Sequence, residues 1–148
     1  MLEFIGLLIF IAGFVVGLGA VTVIDLHGFL ARHSPYWTET TIRAHKVTKP
    51  LIWIGTTLAI IGGVFFYSQQ VFTWIPMTHA IVAPILVLNG IFLSFYVSPY
   101  LLKQEREGRE RELLPTRLQV AISASFVVSF VGWWGSLVLL AWYLTFHI

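Results

Sequence analysis

Of the 148 residues, 57% are hydrophobic and only 11% charged, against about 25% charged in ordinary soluble domains. So little polar surface cannot cover a soluble fold of this size, and the bilayer is the solvent that the composition fits. The formal charge of +2 does not point to nucleic acid, because every basic side chain sits in one of two short connections, and the lack of cysteine excludes disulfides, thiolate metal sites and thiol redox chemistry.

The apolar residues form four blocks, each long enough to cross a hydrocarbon core, which takes roughly 20 helical residues. Runs without period-2 alternation select helices over a closed barrel. The expectation is one all-α domain over 1–148, an integral membrane four-helix up-and-down bundle, since short connections make consecutive helices antiparallel neighbours.

The first span is expected at about 2–24. It follows Met-Leu-Glu with neither a basic segment before it nor a cleavage site after it, and reads as a retained helix. Gly13 and Gly17 make a GxxxG, which lets a neighbouring helix approach closely; room for a flat cofactor is the other use of such glycines. Asp25 at the end of this span needs a partner or water.

The stretch from Asp25 to Pro50 is the longest polar interruption and holds His27, His33 and His45. Ser34 and Pro35 suit a helix start. An amphipathic segment is expected over 38–49, near the headgroups, with Tyr36 and Trp37 at the interface. Lys49-Pro50 then breaks or kinks the chain into a second span at 51–67.

The next connection, SQQVFTWIPM, carries no charge and leads past Pro76 to a third span at 78–102. Asn89 in its middle needs a partner inside the bundle. KQEREGRERELLPTR reads as a solvated connection. The fourth span, 118–146, places Ser125, Ser129, Gly132 and Ser136 on one narrow stripe, a packing seam for another helix. At least one of Trp133 and Trp134 should face the bundle or a partner.

All nine basic residues lie in the connections 25–50 and 103–117. By the positive-inside rule these two are expected to be cytoplasmic and both termini outside.

Depth then sorts the candidate chemistry. His79, His147 and Glu3 fall at the outer level, where imidazoles from antiparallel helices suit two faces of a haem or, with Glu3, one metal ion. The plainer alternative leaves His147 exposed and His79 hydrogen-bonded locally. At the inner level Asp25, His27, His33 and His45 accompany Arg32, Arg43 and Lys46. They read either as an ion pair pinning a helix end, or as His27 and His45 ligating a cofactor, or as a proton relay from Asp25 to His27. Asp25 and Asn89 together would form only a thin ion or proton path. Without cysteine, any cofactor is expected to be haem b or a histidine-held metal. HExxH, GxSxG and a Gly-rich phosphate loop are all absent.

Taken together, the glycine-containing first span, the basic stretch IRAHKVTKPLIW running into the second, MTHAIVAPILVLNGIFLSFYVSPYLLK, and the charged KQEREGRERE resemble a superfamily of four-span membrane proteins. It includes the copper-resistance D-like domains and the HemJ-type protoporphyrinogen oxidases. HemJ-type members bind haem through a first-span histidine and a second ligand near the start of the third span. His79 matches the second position; the first span here has no histidine before His27. Asn89 stands where some relatives carry a polar or ionisable residue. The resemblance implies a small redox or cofactor-binding protein, an oxidoreductase acting on a quinone or porphyrin. The competing class is a non-catalytic subunit that docks its small-residue stripes and tryptophans into a larger membrane assembly or a second copy.

Overall fold

The computed structural model describes residues 1–31, 36–109 and 112–146, with side chains at 28, 29, 31 and 37 left aside. Four long helices run through the described residues: α1 Leu2–Ala31, α2 Trp37–Tyr67, α3 Trp74–Arg106 and α4 Thr116–Phe146. All four are long and apolar enough to span a membrane, and no strand occurs among the described residues. The protein is an integral membrane four-helix bundle. Arg32, His33, Ser34, Pro35, Arg111 and His147 lie outside the described residues.

Glycine sets how α1 and α2 pack. A Cβ on Gly13 would collide with the Ala59 main chain, one on Gly55 with Gly17, one on Gly62 with Phe10 and one on Gly6 with Phe66. Backbone therefore meets backbone along this antiparallel pair, as small residues permit in membranes. Gly17 also seats the Trp133 ring of α4, which stands edge-on to Phe14 with centroids 5.9 Å apart. Trp133 is thus the inward tryptophan, while Trp134 is partly exposed.

α3 is joined to α4 by polar groups. Asn89 Nδ2 donates to the Ser125 carbonyl (3.1 Å) and to Ser129 Oγ (2.8 Å), and Ser125 Oγ donates back to Asn89 Oδ1 (2.6 Å). The stripe of Ser125, Ser129, Gly132 and Ser136 faces α3, with Leu86 lying against Gly132.

α2 runs unbroken through Pro50, from Trp37 onward, where a separate amphipathic segment was expected. At 1.5 Å per residue it is roughly 46 Å long, more than a hydrocarbon core of about 30 Å. Its first turns therefore belong to the polar end of the same helix. α3 likewise begins at Trp74, so Pro76 sits inside the first turn, where its missing N–H costs no helical bond.

Near its middle α3 widens into a π-helical segment, Phe92–Val97. Sequence accounts for it. Pro99 has no N–H and its ring crowds the carbonyl four residues back, and the wider turn relieves that clash. The Ser98 N–H then bonds to the Leu93 carbonyl, and the Ser94 carbonyl loses its main-chain donor. Lys49 Nζ of α2 supplies one at 3.2 Å, while Trp53 Nε1 donates to Ser94 Oγ at 2.9 Å. α3 ends at Gly108 (φ +67°), with Arg109 N–H bonded to the Gln104 carbonyl (2.9 Å) and Gly108 N–H to the Glu105 carbonyl (3.1 Å). This is a Schellman stop built on the one residue free of a Cβ penalty.

Candidate functional site: a cavity between α2 and α3

α2 and α3 touch at two levels and part between them. At one level Trp53 and Lys49 hold Ser94; at the other, Tyr67 Oη lies 2.9 Å from His79 Nδ1. The gap forms a half-open cavity of about 990 Å³, near the upper limit for small-molecule sites. Small side chains make the space: Thr56, Ala59 and Gly63 on α2, Ala80 and Ala83 on α3. Phe10, Phe14 and Trp133 form its back wall. Pro84, inside α3, leaves the Ala80 carbonyl without its helical donor beside the cavity.

From Pro76 to Leu88 the α3 wall is roughly 18 Å long at 1.5 Å per residue, and the space beside it is half-open to the outside of the bundle and lined mostly by apolar side chains.

His79 is the imidazole on this wall, and it is buried. Its Nε2 lies 2.9 Å from the Ser136 carbonyl. A carbonyl only accepts, so Nε2 carries the proton and Nδ1 receives the Tyr67 hydroxyl. The ring stacks on Tyr67 (centroids 5.7 Å, 26°) and meets Phe10 edge-on (5.6 Å, 81°). Three elements thus fix one tautomer and one ring plane.

Behind this pair a polar chain leads to the chain-terminal end of the bundle. Tyr143 Oη donates to Gln70 Oε1 (3.3 Å), and Gln70 Nε2 donates to Glu3 Oε1 (2.5 Å). Tyr143 also lies edge-on to Tyr67, with centroids 5.5 Å apart.

Comparison with protein-family models, curated proteins and solved structures finds no match for this chain. What the cavity can do follows from its own chemistry.

The sequence candidates separate accordingly. Glu3 joins the His79 neighbourhood, though through Gln70 and Tyr143 and not by contact with His79. His147 is outside the described residues. His27 is exposed; His45 is half-buried with Nε2 unpartnered; Asp25 is buried with Oδ2 unpartnered. Among the described residues no three His, Asp or Glu side chains come together as a metal site. Asn89 is occupied as the α3–α4 clasp.

Tyr67, Gln70 and the Ser136 carbonyl are the site members that the sequence did not expose. Tyr67 resembles any interfacial tyrosine at a span end, and a main-chain carbonyl leaves no mark in a sequence. Ser136 carried only the signal of its stripe.

Proposed function

We propose that the protein binds a lipid-soluble ring compound of the porphyrin class, haem b foremost, in the α2–α3 cavity, with His79 as its anchor. The observation that carries this is the buried imidazole on the wall of a ring-sized apolar space, its Nε2–H held by a carbonyl. Ligating histidines commonly donate their second nitrogen in this way. For ligation Tyr67 must turn its hydroxyl away from Nδ1, a rotation at the mouth of the cavity. Haem held there would supply one-electron redox chemistry. The residues do the rest: Phe10, Phe14 and Trp133 keep the back of the cavity dry, Ser136 fixes the imidazole, and Tyr67 competes for its free nitrogen. The donor set favours a ring ligand over a bare metal ion, because a single imidazole without nearby carboxylates is a poor cage for one.

A specific observation favours a quinone as the second reading. Among the described residues no lysine or arginine lines the cavity, so the carboxylates of a porphyrin would have to reach water at the Ser68–Gln70 mouth. An uncharged quinone carbonyl could instead accept the Tyr67 hydroxyl directly. Either ligand fits a small membrane redox protein. The orientation proposed with it has both termini outside and the connections 25–50 and 103–117 cytoplasmic, from the placement of all nine basic residues.

Purified protein from cells supplied with haem, extracted into organic solvent and analysed by mass and absorption, tests both readings. Stoichiometric haem or quinone is expected, and its loss in Ala83→Phe would locate it. A colourless preparation that yields neither compound would overturn the proposal and leave the assembly-subunit role ahead.

A further inference from the structure

A second groove, of about 390 Å³, lies on the outside of the bundle along the α3–α4 seam, beside the charged connection. Phe92, Tyr96 and Tyr100 occupy one stripe of α3, with Phe92 and Tyr96 stacked at 5.5 Å between centroids. Leu118 and Ala121 form the α4 side, and Arg117 stands at its polar end in the first turn of α4.

The state of Arg117 is what marks this groove. Other described cations at this end of the bundle are engaged: Arg43 with Glu39, Lys46 with Glu105, Lys103 and Arg109 with Glu107, and Lys49 with the Ser94 carbonyl. Among the described residues Arg106 and Arg117 have no such partner, and of these Arg117 lines this groove and Arg106 does not. Tyr100 Oη accepts from Gln104 Nε2 at 3.2 Å, which leaves its own proton to donate. The groove therefore offers a guanidinium and a phenol at the polar end. From there an aromatic trough runs inward for roughly 12 Å, the span from Tyr100 to Phe92 at 1.5 Å per residue.

We infer that this groove is a binding site for one anionic phospholipid, its phosphate on Arg117 and Tyr100 and an acyl chain along Tyr96 and Phe92. Charge selects the occupant. Guanidinium is suited to bidentate phosphate recognition. The two connections at this end also carry nine basic against six acidic residues, Asp25 included, a surplus that attracts anionic and not zwitterionic headgroups. A soluble anion would use the guanidinium and leave the aromatic trough empty.

The test is native mass spectrometry of the full chain in mild detergent, with equal amounts of phosphatidylglycerol and phosphatidylcholine of matched chains. One phosphatidylglycerol is expected to be retained about fivefold over phosphatidylcholine, the preference that one basic side chain near a membrane surface supplies. Arg117→Gln should abolish that preference while Arg106→Gln, also exposed and at the same end, keeps it. Equal retention of both lipids by the unaltered protein would overturn the inference. So would an equal loss in the two variants, which would mean diffuse attraction, or displacement of the lipid by glycerol 3-phosphate, which would mean a site for free phosphate.

Discussion

α2 meets its two neighbours in opposite ways. Against α1 it presents Gly55 and Gly62, and the main chains touch with no room for a methyl group. Against α3 it is held by side-chain bonds near the ends of a cavity, Trp53 and Lys49 to Ser94 and Tyr67 to His79. The first contact tolerates no added atom, whereas the second is made of groups that can turn. A bundle built this way has one tightly packed pair of helices and one seam that leaves a space between its side chains.

The largest effect should come from the tightly packed pair. Gly55→Leu forces a side chain into the Gly17 main chain, and overpacking of this kind costs about 1–3 kcal/mol or more. Thermal unfolding in detergent should show a much lowered midpoint or no folded protein at all. An unchanged midpoint would mean that the helices are not locked at glycine.

Next comes the polar clasp. Asn89→Ala removes three hydrogen bonds that join α3 to α4. Interhelical bonds in membranes average about 0.6 kcal/mol each, so a loss of about 2 kcal/mol is expected for the three. Steric-trap or denaturant unfolding would measure it. Lys49→Met, which strips the donor from the Ser94 carbonyl of the π segment, should cost about 1 kcal/mol by the same measurement.

Filling the cavity should behave differently. Ala83→Phe adds volume where space already exists, so stability should stay within about 1 kcal/mol of the unaltered protein while ligand binding is lost. A large destabilisation there would mean that the α2–α3 seam is as tight as the α1–α2 seam.

The smallest effect belongs to the exposed turn after α3. Arg109 Nε donates to Glu107 at 3.0 Å, and this bond, with the nearby charge, holds the Glu107 carboxyl below its ordinary range. A depressed carboxylate contributes stability above its unfolded pKa and loses it as pH falls through the folded one. The loss therefore falls on the acid side of the usual carboxylate range. Because the pair is in solvent, screening should make acid melts of Glu107→Gln and the unaltered protein differ only marginally.

The four helices were legible because the bilayer imposes length and apolarity on every span, and Asn89 was legible as a group in need of partners. The continuity of α2 was not. Lys49-Pro50 carries a break signal, yet Pro50 removes only one helical bond, and Gly55, Gly62 and Phe66 fix the rest of the helix against α1. The cavity was hidden for a different reason. It is a space between Ala59, Gly63, Ala80 and Ala83, residues that are individually ordinary in a membrane helix. Only the meeting of α2 and α3 at Ser94 and His79 turns them into a wall. His79 stood out by type, but its tautomer depends on Tyr67 from another helix and on a carbonyl of a third.

Tryptophan fluorescence tests the central claim most directly, because Trp133 lies on the cavity wall and a bound ring chromophore will quench it. Titration with haemin, and separately with a short-chain quinone, should give saturable quenching by at least one of them. Quenching should be weakened in His79→Ala, lost in Ala83→Phe and unaffected in His45→Ala. If neither compound quenches saturably, or if Ala83→Phe binds as the unaltered protein does, the α2–α3 cavity is not the site.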